Sequence, residues 1–288
     1  MNPSPLAALV LALAACTADP PVDETGSPTT SIPADPLPAA LGGCTATGAE
    51  VDADLGPLST RIHQYDDTGD PVLATADYLD DATFYDWTIA STFGLPHQTA
   101  TSVVTYTRAT GWTSTYTWDG DHLVRVETDA ASDGTVDEVE SWTFDGDHEA
   151  HTEWDGDADG VADDTMDLTW AEEDGGWRVT GAGTDADGTY TTDEWRDAEL
   201  RTMTYRYAHQ SGLSVAWEVA AFSSIGATGS YTSETRQDGA LIEETAKTRT
   251  FDAEGRESSE VYTKTGYAND VETGTFTRTI DTTYDCPG

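Results

Sequence analysis

Four of the five aspartates in the segment WDGDADGVADD at residues 154–164 have a loop spacing: Asp155, Asp157, Asp159 and Asp163, with Gly160 directly after the third. Oxygen donors at alternate positions of a tight loop point to a common centre, and a hard divalent cation takes six to eight oxygens at about 2.3–2.6 Å. Asp155, Asp157 and Asp159 would supply carboxylates, Gly160 the sharp turn, the Val161 carbonyl a further oxygen, and Asp163 the closing carboxylate. Without a cation these like charges repel one another. The other reading is a solvated acidic turn, in a chain that has many. Asp129, Asp133 and Asp137 repeat part of the spacing, but Ala131 stands where Asp157 would be, so they form a weaker candidate. The TDADG segment at 184–188 has no closing acid at the matching place and is set aside.

An EF-hand would place a glutamate twelfth in the loop, where Met166 stands, and would flank it with helices. Both flanks here alternate like strands. The spacing therefore resembles the β-hairpin calcium loops of integrin-type propellers, and that resemblance implies calcium as the cofactor.

Other chemistries find less support. Acidic residues number 54 against 13 Lys and Arg, a net charge of -41. A general nucleic-acid binder needs a basic face to displace counterions, so nucleic acid is excluded as a partner. There is no nucleophile elbow, no phosphate-cradling glycine loop and no zinc-protease signature. The pair in HEAH, His148 and His151, points to opposite faces of a strand. Carboxylates are too numerous for any two to be singled out as acid and base, so no catalytic residue is assigned.

The chain begins MNPSPLAALVLALAAC. Residues 6–15 match a signal-peptide core in length and are too few to span a bilayer. Leu13-Ala14-Ala15-Cys16 resembles the lipobox of bacterial lipoproteins. That resemblance implies cleavage after residue 15, a lipid on Cys16 and attachment to a membrane. With Thr17 after the cysteine it implies the outer membrane or cell surface. The two remaining cysteines, Cys44 and Cys286, form an even pair in an exported protein and are expected to be bridged.

Three regions follow: a signal peptide at 1–15, a lipidated Cys16 with a Pro/Thr-rich tether to residue 43, and a domain from 44 to 288. Six of the twelve prolines fall in the tether, which has no apolar period and reads as disordered. Beyond it, strands alternate. Trp112, Ser114, Tyr116 and Trp118 share one face, as do Met166, Leu168 and Trp170. TWDGDHLVRVETDAASDGTVD at Thr117 is echoed by TFDGDHEAHTEWDGDADGVAD at Thr143, an offset of 26 residues. It matches Trp118 with Phe144 and His122 with His148, a repeat that favours structural histidines. The DG pairs at 119–120 and 145–146 are hairpin signals.

Phe251, Asp252, Gly255 and Arg256, with Tyr65, Asp66 and Gly69, resemble the YD repeats of bacterial cell-surface proteins. The chain is far too short to enclose a toxin as larger members do. The expected fold is all-β: an antiparallel meander of repeated hairpins, curved into a barrel-like or two-layer sheet, with the acidic loops lined up at one end. The expected function is a lipid-anchored envelope module, structural or binding and stabilised by calcium, with an envelope glycan or protein as possible partner. An envelope glycan-active enzyme and a lipid carrier using the apolar face are the alternatives.

Overall fold

A computed structural model describes residues 41–79, 86–95, 98–107, 109–222, 228–268 and 271–287. The signal segment, Cys16 and the tether to residue 40 lie outside these residues. Leu41, assigned to the tether from sequence, is buried against Cys44, Ala46 and Tyr65, so the packed chain already includes it.

The described residues form eighteen strands and no α-helix: β1 (Thr45–Asp52), β2 (Gly56–Tyr65), β3 (Pro71–Tyr78), β4 (Trp87–Leu95), β5 (Gln98–Tyr106), β6 (Trp112–Asp119), β7 (His122–Asp129), β8 (Glu138–Asp145), β9 (His148–Asp155), β10 (Asp164–Glu173), β11 (Gly176–Asp185), β12 (Gly188–Arg196), β13 (Thr202–His209), β14 (Leu213–Phe222), β15 (Thr228–Gln237), β16 (Ala240–Phe251), β17 (Glu257–Ala268) and β18 (Val271–Asp285). Each pairs antiparallel with the next, and β18 pairs with β1 from Thr45↔Asp285 to Asp52↔Arg278. The meander thus closes into a barrel, with no sheet edge left for another chain to extend. Between the barrel-like and two-layer forms that the sequence allows, closure decides for the barrel.

The DG signals mark real hairpins. Asp119 pairs with His122 and Asp145 with His148, leaving two-residue turns that start at Gly120 (φ 60°) and Gly146 (φ 62°). Glycine at the first turn position suits the right-handed twist of the strands. The 26-residue repeat is also structural: a register shift falls between Thr117 and Trp118, and again between Thr143 and Phe144. His122 stacks on Phe144 at 4.2 Å between centroids, and His148 on Trp170 at 4.5 Å. These two histidines are wall-packing residues. His151 faces outward instead, bonded through Nδ1 to Asp167.

The inner face carries the core as four patches, each drawn from neighbouring strands along the wall. Tyr190, Tyr205, Tyr207, Trp217 and Val219 form one, Tyr116 and Val126 with Trp112, Trp118 and Trp142 another. Ala76, Tyr78 and Trp87 form a third, and Leu41, Cys44, Ala46 and Tyr65 the fourth. The inner wall across β16, β17, β18, β1 and β2 is ionic. Glu50 accepts from Arg61 at 2.9 Å and from Arg278 at 3.3 Å, while Glu260 meets Arg249 at 3.1 Å and Lys247 at 3.2 Å. Buried charges of this kind need such mutual satisfaction to be tolerated.

The outer face is polar. It shows Thr115 and Thr117 on β6, Glu153 on β9, Asp167 and Thr169 on β10, Arg178 and Thr180 on β11, and Asp281 and Thr283 on β18, all exposed. Its exposed apolar residues are interspersed: Ile62 lies between Thr47 and Thr75, and Val261 between Thr248 and Thr279.

Alternating connections give the barrel two ends. One holds the loops 129–137, 155–163 and 185–188, together as the alternation requires. The other holds the turns 66–70, 197–201 and 252–256, the start of β1 and the end of β18. There Cys44 and Cys286 are disulfide-bonded, with Cα atoms 4.1 Å apart. Closing a loop of 242 residues removes unfolded-state entropy equivalent to about 5 kcal/mol in the chain-entropy model.

Candidate metal centre

The loop at 155–163 leaves β9 at Asp155 and enters β10 at Asp164. Its base is closed by the Asp163 N–H donating to the Trp154 carbonyl at 2.7 Å. Asp155 is buried at the loop's foot and accepts from the N–H groups of Asp159 at 3.2 Å and Gly160 at 2.8 Å. Asp163 accepts from Gly156, and Asp159 from Val161. Gly160 sits at φ +88°, where only glycine is unstrained, and Ala158 takes φ +53°. These bonds bend the loop so that carboxylate oxygens of Asp155, Asp157 and Asp159 all lie within 4.8 Å of one another. Oxygens that each sit about 2.3–2.6 Å from one ion can be no further apart than about twice that distance, so the trio fits a hard cation. Asp163 is not in the converging trio, and its Oδ2 is held by the Gly156 N–H.

The loop at 129–137 has the same frame. Asp129 accepts from Asp133 at 3.0 Å and Gly134 at 2.7 Å, Asp137 from Ala130, and Asp133 from Thr135. Ser132 and Gly134 take φ +51° and +89°, matching Ala158 and Gly160. Slight burial pushes the Asp129 carboxyl up, but the amide bonds outweigh it and hold the group below the usual carboxylate range. With Ala131 in the third place, Asp129, Asp133 and Asp137 do not form a converging trio among the described residues. The frame therefore does not need an aspartate in that place. The 184–188 segment is a two-residue turn between Asp185 and Gly188, with Asp185 accepting from Asp187 and Gly188.

Carboxylates that sequence reasoning passed over lie on the inner wall beneath these loops. Glu138 follows Asp137 and is almost fully buried, accepting from Trp154 Nε1 at 2.5 Å. Asp164 follows Asp163 and accepts from Tyr190 Oη at 2.5 Å. Between them Glu140 has an Oε2 closed off from solvent with no hydrogen-bond partner. Burial first, then the charges of Glu138, Glu149 and Asp164, push Glu140 up to about 8. Burial pushes Glu149 up to about 7 and Asp164 up to about 6. The signal was spacing: Glu138 and Glu140 share a face with Trp142 at i, i+2 and i+4, the side that alternation assigns to the core.

No family model matches this chain, and no curated protein does. Among solved structures, a porin-like protein from Bacteroides uniformis is similar over 86% of this chain and 99% of its own, at 14% identity and a TM-score of 0.48. A porin-like protein from Bacteroides vulgatus covers 83% and 97%, at 8% identity and a TM-score of 0.31. A mutant porin of Rh. blastica covers 84% and 98%, at 12% and 0.25. None of the three reaches a TM-score of 0.5, so function has to be read from this chain's own surfaces.

Proposed function

We propose that this chain is a lipid-anchored envelope protein whose barrel stands in water as a non-enzymatic structural or binding module, held off the membrane by its tether. The outer wall is the observation that carries this reading. A barrel that spans a bilayer presents an apolar band about 25 Å tall to the lipid, and an Arg at mid-depth costs about 2–4 kcal/mol. Here exposed Thr115, Thr117, Glu153, Asp167, Arg178, Thr180 and Asp281 occupy the outward face. The chain ends support the same arrangement. A lipid on Cys16 would pull on the disulfide end through residues 17–43 and leave the acidic loops facing away from the membrane. The turns at 66–70 and 252–256, each with an Asp carboxylate capping the chain two and four residues on, fit the resemblance to YD repeats of surface proteins.

Calcium at 155–163 belongs to this proposal. The carboxylates of Asp155, Asp157 and Asp159 converge, and the neighbouring loop keeps its frame without an acid at the place of Asp157. Asp155, Asp157, Asp159, the Val161 carbonyl and Asp163 would hold the ion, which would offset their repulsion and stiffen the distal end.

The test is release. Cells labelled with palmitate should tag the protein, and Cys16→Ser should abolish the tag. Cutting the tether with a protease should free the barrel into detergent-free buffer as a monodisperse protein. A barrel that stays with the membrane after the cut, or that dissolves only in detergent, overturns the reading.

A further inference from the structure

Eight of the nine tryptophans turn into the barrel, packed in the inner clusters or against His148 and Glu138. Trp195 does not. On β12 the inward places go to Thr192, Glu194 and Arg196, with Arg196 lying over the inner Trp170 ring at 4.8 Å. Trp195 shares the outer face with Asp193, paired across strands with Arg178 on β11 and Thr204 on β13. Around it opens a groove of about 210 Å³ lined by Glu173, Arg178, Asp193, Trp195, Thr204 and Arg206. An aromatic on a face of threonine, charge and scattered aliphatic residues calls for an explanation that core packing does not provide.

The polar groups of the groove are fixed in part and available in part. Arg178 grips Asp193 with two bonds, at 2.8 and 2.9 Å, and lies 3.8 Å from Glu173. That fork sets the positions of both partners before any ligand arrives. Arg206, opposite Asp193 in the register, is exposed; its charge acts on Asp193, but it is not gripped by a hydrogen bond as Arg178 is. Two carboxylates and two guanidiniums leave the groove with no net charge, on a chain whose net charge is -41.

We propose that this groove binds one pyranose ring of a neutral glycan. Trp195 offers a flat apolar face to the C–H face of a sugar ring, while Arg206, Thr204 and the Arg178–Asp193 pair offer donors and acceptors in the plane where hydroxyls project. An anionic sugar would have to approach a strongly negative molecule, whereas a neutral one is not repelled. The volume lies below the roughly 300–1,000 Å³ of drug-sized sites, so the groove takes a single ring and binds it weakly. Asp193 is engaged by the two Arg178 bonds, which hold its carboxyl below its usual range, so the groove is read as a binding surface.

This inference is independent of the lipid anchor and of calcium. The experiment titrates the mature protein with neutral hexose oligomers of gluco, galacto and manno type to 10 mM, beside an oligogalacturonate and a Gly/Ser peptide. The readouts are ligand-observed NMR and tryptophan fluorescence. At least one neutral oligomer should bind with a Kd of about 1 mM and exceed the uronate. Trp195→Ala should weaken it tenfold or more, Arg206→Gln several-fold, and Trp195→Phe should retain part of it. Melting temperatures will verify that the variants are folded. No binding by any neutral oligomer, tighter binding of the uronate or the peptide, or binding unchanged in folded Trp195→Ala or Arg206→Gln each overturns the proposal.

Discussion

The two ends of the barrel solve one problem in different ways. Both turn the chain around an aspartate whose carboxylate accepts backbone N–H groups. At the disulfide end two of the three aspartate turns answer the charge from within: Arg201 Nε donates to Asp197 at 2.7 Å, and Arg256 Nε to Asp252 at 2.7 Å, while Asp66 accepts from Thr68 and the backbone. The small rise that burial gives Asp252 is outweighed by these bonds, and its carboxyl sits below the usual range. At the acidic end Asp129 and Asp155 are met by main-chain amides alone, with Asp137, Asp157, Asp159 and Asp163 close by. With only 13 Lys and Arg in the chain, cations set into the inner wall and the disulfide-end turns are not available elsewhere. The loops 129–137 and 155–163 rely on cations, or protons, from solution.

Protons give the largest expected effect. Glu140, pushed up to about 8, and Asp164, pushed up to about 6, lie beneath the acidic loops, and Glu149, pushed up to about 7, lies on the same inner wall. In the unfolded chain such groups titrate near 4. The native state therefore holds protons that the unfolded state releases. Their contribution is full below about pH 4 and is lost as pH rises through the folded values, toward 8. The barrel should be more stable at pH 5.5 than at pH 8 in fixed 0.5 M salt, by on the order of a few kcal/mol, and melt at a correspondingly higher temperature. Glu140→Gln should raise the melting point at pH 8 and flatten the profile. A profile just as steep in that variant would show that general charge repulsion, rather than this wall, sets the pH dependence.

Much of this contrast was readable in the sequence, and the unread part has a physical cause. Trp112, Tyr116 and Trp118 on one face, and Thr113, Thr115 and Thr117 on the other, gave the wall its two sides, because strand alternation is strictly local. Odd and even connections then fixed which loops share an end. Closure was not readable, since the pairing of Thr45 with Asp285 joins residues that no local pattern connects. The second arginine turn was missed for a smaller reason: DAELR at 197–201 repeats DAEGR at 252–256 with Leu200 in the glycine place. The outward place of Trp195 was legible, since it stands five residues from inward Tyr190 and an odd spacing puts the two on opposite faces.

Calcium tests the acidic end itself. Extracellular modules bind calcium with dissociation constants of about 0.1–1 mM, and at ten times that constant one site adds about 1.4 kcal/mol. In a domain of this size that is a melting shift of about 3–6 °C. Calcium should exceed both magnesium and sodium chloride of matched ionic strength. Because the loop at 129–137 keeps the same frame with Ala131, Asp157→Ala should erase the calcium-specific shift and leave the salt effect. Ala131→Asp should add a second shift of similar or smaller size. Equal response of the wild type to all three salts would make the loop a charged turn and nothing more.

The smallest effect probes the other end, where the chain supplies a cation to two of the three turns and the turn geometry is the remaining weak point. The turns 66–70, 197–201 and 252–256 share one bond pattern: the residue at the fourth place donates to the first carbonyl, as Gly69, Leu200 and Gly255 do. Their φ angles are +89°, +63° and +82°. A side chain with a Cβ is strained there by about 1–2 kcal/mol. Leu200 is exposed, so it recovers little of this through packing. Arg201 still bonds Asp197 as Arg256 bonds Asp252, and the ion pair holds the turn in place despite the strain. Leu200→Gly should therefore stabilise the barrel, but by only about 0.5–1 kcal/mol, because glycine also frees the unfolded chain. The reciprocal Gly255→Leu should destabilise by about 1–2 kcal/mol, since it adds strain to a turn that has none. Denaturant midpoints for the two variants, read against unchanged slopes, give both signs in one experiment. If Leu200→Gly lowers the midpoint while Gly255→Leu also lowers it, Leu200 makes contacts that outweigh its backbone strain, and the two turns are not equivalent.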